Sequence, residues 1–109
     1  MPQTAKRLIE GAVMTGSAVT YYTVPTDTTA IIKKLPLVNT TGGAVNVTVY
    51  LVSSGGSAGT ANTLTYSKSV AAGETWSCTE AENMVLAEGG FLQALGNGVT
   101  ILASGIEIT

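Results

Sequence analysis

Between Val45 and Val52 the chain alternates: Val45, Val47, Val49 and Leu51 fall on one side of an extended backbone, and Asn46, Thr48 and Tyr50 on the other. This is the period-2 pattern of a strand with one face on a core. The run ends in a glycine- and serine-rich stretch from Ser53 to Thr60. Elsewhere glycine, proline and Asn/Thr clusters cut the sequence at short intervals, the spacing of a sandwich or barrel. About eight strands are expected: Lys6 to Met14, Ala18 to Val24, Thr29 to Asn39, Val45 to Val52, Asn62 to Val70, Thr75 to Thr79, Phe91 to Leu95 and Val99 to Ile108.

The punctuation between these segments predicts their links. Pro25-Thr26-Asp27-Thr28 is a turn, with proline presetting φ and Asp27 able to bond its own backbone. Asn39-Thr40-Thr41-Gly42-Gly43 reads as the turn of a hairpin between the third and fourth segments, and Gly96-Asn97-Gly98 as a tight hairpin turn before the last strand. Within Thr29 to Asn39, adjacent Ile31 and Ile32 and then Lys33 and Lys34 break the alternation. Pro36 cannot donate to a ladder, so this segment is expected to hold a bulge or lie at an edge. Thr79 and Glu82 have capping-box spacing, which predicts a one-turn helix near residues 80–87. The expected fold is all-β: a single antiparallel β-sandwich, jelly-roll-like, forming one domain over residues 1–109. That length suffices for one hydrophobic core.

Charge changes this picture. Charged residues make up 11% of the chain and the net charge is -2, against about 25% charged residues in an average soluble domain. A Thr-, Ser-, Asn- and Gly-rich surface lacks the repulsion that keeps β proteins apart, so contact with other subunits is expected. The cations Lys6, Arg7, Lys33, Lys34 and Lys68 are too few to track a phosphate backbone, and nucleic acid is not an expected partner. Cys78 is the single cysteine, so no internal disulfide forms and synthesis in a cytoplasm is expected. No membrane span is expected, because no run of about 18 apolar residues occurs. The segment after Lys6 and Arg7 lacks the apolar core of a signal peptide. The amino-terminal segment that bears Lys6 and Arg7 is either a first strand or an arm that contacts a larger assembly or a neighbour.

Candidate chemistry is sparse. The chain contains no histidine, which removes Ser-His-Asp and Cys-His machinery and imidazole metal ligands. Glu80, Glu82 and Glu88 cluster on one connector and read as a solvated face, since paired catalytic carboxylates flank a bond from opposite sides. Asp27, the sole aspartate, cannot build a calcium cage alone. The glycines from Gly55 to Thr60 lack the Lys-Ser or Lys-Thr of a phosphate cradle and read as a hairpin loop. Cys78 has no base to activate it and reads as a small core residue. Tyr21, Tyr22, Tyr50, Tyr66, Trp76 and Phe91 would form a sugar-stacking platform if several shared one face. Core filling is the expected role, with Trp76 and Phe91 buried and Tyr21 and Tyr22 on opposite faces. No catalytic residue, cofactor or metal site is expected, and the chain is not expected to be an enzyme.

Several strings carry a resemblance: Tyr21-Tyr22-Thr23-Val24-Pro25-Thr26-Asp27-Thr28-Thr29-Ala30-Ile31-Ile32-Lys33, Val38-Asn39-Thr40-Thr41-Gly42, Val47-Thr48-Val49-Tyr50-Leu51-Val52 and Ala72-Gly73-Glu74-Thr75. Together these resemble small virion structural proteins of tailed bacteriophages. The resemblance implies a compact β-sandwich that decorates and stabilises the capsid as a cement protein. Its implied partners are the major capsid protein and further copies of itself, with a homotrimer favoured, and its implied place is the capsid surface of the virion. The alternatives are a tail, baseplate or head-fibre component and a carbohydrate-binding module of an adsorption apparatus. The shared strings are turn and strand chemistry, so no catalytic residues carry over.

Overall fold

The alternating segments form two antiparallel sheets whose apolar faces pack on each other. The computed structural model describes residues 3–109. In chain order its strands are β1 (Gln3–Val13), β2 (Val19–Thr23), β3 (Thr29–Lys34), β4 (Pro36–Asn39), β5 (Val45–Val52), β6 (Thr63–Val70), β7 (Thr75–Ser77), β8 (Met84–Leu86), β9 (Phe91–Leu95) and β10 (Val99–Ile108). In the first sheet β10 is the axis. β1 runs along one side of it, and β4 and β3 lie end to end along the other. β7 and β8 lie outside β4 and β3 respectively. The second sheet has the order β2-β9-β5-β6. Ile32, Leu35, Leu37, Val99 and Ile101 from the first sheet meet Val47, Val49, Leu92 and Ala94 from the second, all fully or almost fully buried.

The strand count rises from the expected eight to ten for two reasons. First, the Thr29 to Asn39 segment is divided at Leu35. Ser104 pairs with Lys34 but Gly105 pairs with Ile32, a one-residue slip. The extra residue lets Lys33 and Lys34 both face solvent and returns Leu35 and Leu37 to the core, which is the work of a β-bulge. The bulge therefore precedes Pro36. The proline opens β4 between β10 and β7, and the first residue of a strand tolerates a missing N–H. Second, the one-turn helix expected near 80–87 takes the form of a 3-10 turn at Thr79–Ala81, and Met84–Leu86 pairs with β3 as a strand. No capping box forms, because Glu82 turns to Lys34 instead, 3.3 Å away.

Two expected hairpins are arches. β4 and β5 belong to different sheets, as do β9 and β10, so the Asn39–Gly43 and Gly96–Gly98 turns carry the chain across the core. Their local chemistry resembles a hairpin: Val99 N–H donates to Gly96 O at 3.0 Å, and Gly98 has φ 86. What separates an arch from a hairpin is burial on both flanks, with Leu37 pressing on the core from one side and Val47 from the other. β5 and β6 do form a hairpin, across the glycine-rich loop. Gly105 is a position only glycine fits, since a Cβ there would stand 2.1 Å from the Ile31 carbonyl oxygen.

Asn39, fully buried, ties the sheets together. Its Nδ2 donates to Gly43 O at 2.9 Å and to Val70 O, on the second sheet, at 2.8 Å. Its Oδ1 accepts from Thr41 N–H at 2.9 Å and from Thr41 Oγ1 at 2.7 Å. Its own backbone N–H donates to Glu74 O, and its carbonyl accepts from Gly73 N–H. Removing the amide strands the buried Val70 carbonyl, worth about 1–3 kcal/mol, frees the part-buried Thr41 N–H and leaves a void in the core. Asn39→Ala is expected to lower stability by about 3 kcal/mol or more in urea denaturation, whereas Asn46→Ala, exposed on β5, should stay within about 0.5 kcal/mol.

Candidate functional site

The two tyrosines of the β5–β6 hairpin, Tyr50 and Tyr66, share a cleft. Along β5, Val47 and Val49 face the core, so Tyr50 faces outward, opposite Gln93 of β9 and Thr63 of β6. Along β6 the pairing slips twice: Val47 pairs with Lys68, Val49 with Thr65 and Tyr50 with Thr63. The slip at Tyr66 and Ser67 is held by Ser67, which adopts φ 48 and donates its N–H to Thr48 Oγ1 at 3.0 Å. Tyr66 is left 78% exposed. With Gly59, Thr60 and Thr63, the two tyrosines line a cleft of about 490 Å3. The loop wall is pinned by Asn62, whose Oδ1 accepts from Gly59 N–H at 2.9 Å and whose Nδ2 donates to Ser57 O at 2.8 Å.

The other aromatic residues lie elsewhere. Trp76 and Phe91, expected in the core, are only half-buried. Trp76 sits on a three-residue edge strand, too short and too peripheral to enclose an indole. Its ring packs on the rim of the core, and Lys68 Nζ lies 5.5 Å from the ring centroid, a cation–π contact that joins edge strands of the two sheets. Tyr21 and Tyr22 do not take opposite faces. A slip between Thr20 and Tyr22 inserts one residue into β2, and both rings pack against the core.

One polar cluster was invisible in the sequence because its members lie 85 residues apart. The Tyr22 hydroxyl, from the second sheet, donates to Glu107 Oε2 of β10, and Lys6 Nζ of β1 lies 3.4 Å from Glu107 Oε1. Burial first, and then the hydrogen bond and the negative charge of Glu107, push the Tyr22 phenol well above its ordinary range. Lys6 and Arg7 belong to β1, paired with β10. Strand pairing, rather than a free arm, accounts for this segment.

The remaining candidates are dispersed. Glu82 pairs with Lys34, Glu80 lies 3.8 Å from the Cys78 sulfur, and Glu88 stands at the mouth of a second cleft. That cleft, about 520 Å3, is lined by Leu51, Val52, Met84, Val85 and Leu86 among others. Asp27 occupies its turn with φ 59. Cys78 is fully buried, and burial pushes its thiol up to about 11. Among the described residues no group of three or more Cys, Asp or Glu is placed to hold a metal ion, and no helix is long and apolar enough to cross a membrane. Comparison with protein-family models, curated proteins and solved structures finds no match to this chain.

Two measurements check this chemistry. Ellman's reagent at pH 8 should leave Cys78 almost unmodified in the folded protein and titrate one thiol per chain after unfolding in guanidinium. Fast modification of the native protein would contradict its burial. For Tyr22 the folded pKa lies above the unfolded one, so the phenol's contribution to stability is full below pH about 10 and is lost as pH rises through the folded value. Tyrosinate absorbance should show a late step that coincides with alkaline unfolding. That step should be absent from Tyr22→Phe and shifted to lower pH in Glu107→Gln.

Proposed function

We propose that this chain is a structural protein of a tailed-phage virion that decorates the capsid and stabilises it through non-covalent contacts, as a homotrimer bound to the major capsid protein. The observation that carries the reading is the bareness of four of the five edge strands, β1 with Lys6, Arg7 and Glu10 being the charged one. β2, β7 and β8 contain no charged residue, and Lys68, the only charge on β6, is drawn over Trp76. Edge strands of proteins that must stay apart are guarded by charge, and these are not. Exposed apolar side chains accompany them: Val13 at 65%, Val85 at 59%, Val19 and Met84. Such positions suit burial against neighbouring subunits, where contacts repeated over a trimer multiply a modest affinity. A buried, protonated Cys78, with Glu82 paired to Lys34 and Glu80 beside the Cys78 sulfur, supports adhesion rather than catalysis. The strings from Tyr21 to Val52 that resemble virion proteins supply the phage context.

Phage heads prepared without the protein should bind it on cosedimentation. They should release DNA at a lower temperature than heads that carry it, and regain stability when it is added back. Failure to cosediment with heads would overturn the capsid reading. Antibody labelling confined to tails would assign the protein to the tail, baseplate or fibre instead.

A further inference from the structure

We propose that the outer face of the second sheet carries a binding site for a neutral saccharide, built on Tyr50 and Tyr66. The site stands on its own geometry and does not depend on where in a virion the protein sits. Tyr66 is 78% exposed, although burying aromatic surface is among the largest gains a small domain can make. The structure holds the ring out. The inserted residue at Ser67, its φ of 48 and the Thr48 hydroxyl that accepts its N–H together set Tyr66 outward while returning Lys68 and Val70 to the inner side. A bulge that re-aims a side chain is a recurring device beside binding sites.

The surroundings select the ligand class. The cleft lining, Tyr50, Gly59, Thr60, Thr63 and Tyr66, contains no carboxylate, ammonium or guanidinium, so nothing in it recognises an ionic group. The face of a phenol ring carries negative potential, complementary to the weakly positive C–H face of a pyranose. Threonine hydroxyls both donate and accept, which matches sugar hydroxyls. Gln93, paired opposite Tyr50 on the same outer face, extends this polar surround. It is oriented by its own bond, with Nε2 donating to Thr20 Oγ1 at 2.9 Å. The volume of about 490 Å3 falls within the range of about 300–1,000 Å3 typical of small-ligand clefts. The Asn62 bonds fix the loop before any ligand arrives, which lowers the ordering cost of binding.

Electrophoresis of the native protein through gels containing dextran, mannan, galactan or hydroxyethylcellulose tests the site. At least one of these polymers should retard the protein relative to a non-binding reference. Tyr66→Ala should weaken that retardation by about tenfold in apparent affinity, Tyr50→Ala likewise, and Tyr66→Phe should preserve it because the ring face is retained. Tyr66 is exposed, so Tyr66→Ala should keep the native melting temperature, which separates a lost site from a lost fold. Retardation by none of the polymers overturns the proposal. So does retardation only by dextran sulfate, or retardation unchanged in both alanine variants.

Discussion

The relative position of the two sheets rests on a buried amide. Apolar burial drives the faces together but carries no direction, and sheets covered with valine, leucine and isoleucine can pack at more than one offset. Asn39 removes that freedom. Its four side-chain bonds reach the end of β6 on one sheet and the turn that leaves β4 on the other, while its backbone holds the β6–β7 connection. Because the group lies beyond the reach of water, any offset that broke these bonds would leave unsatisfied polar atoms in the core. The second tie, from Tyr22 to Glu107 and Lys6, acts on β2, β10 and β1. The sandwich is thereby fastened on both of its sheets by polar contacts.

Where period-2 alternation held, the strands were readable: β5, β9 and β10 begin and end where the residues predict. Alternation failed where the ladder slips, and there the sequence offered only a hint. Lys33 and Lys34 announced a bulge, but Tyr21-Tyr22 and Tyr66-Ser67 did not, because a bulge depends on the partner strand. The hairpins misjudged at Asn39–Gly43 and Gly96–Gly98 have a similar cause: turn residues specify a reversal without specifying whether the chain returns beside itself or over the core. Asn39 was legible only as a turn residue, since its partner Val70 lies 31 positions away. Met84–Leu86 was hidden by a capping-box spacing whose glutamate is spent on Lys34.

The scarcity of charge and the two clefts give the surface a division of labour. Several of the few charges are engaged within the fold, at Lys6–Glu107, Lys34–Glu82 and Lys68 over Trp76. What remains for partners is mostly hydroxyl, amide and small apolar surface. The β8 end offers exposed valine and methionine, suited to dry contact with protein. The hairpin end of the second sheet offers tyrosine and threonine, suited to a hydroxylated ligand.

The central place of β10 sets the order in which the molecule can assemble. β1, β3 and β4 all pair with it, yet it follows every one of them along the chain. During synthesis these strands emerge with no common partner, and the first sheet cannot close until Val99–Ile108 has left the ribosome. Non-local pairing of this kind folds slowly and leaves unpaired edges exposed in the interim. A chain arrested before Val99 would present the edges of β3 and β4 that β10 pairs with unbonded, so the unfinished protein is the form most prone to aggregate.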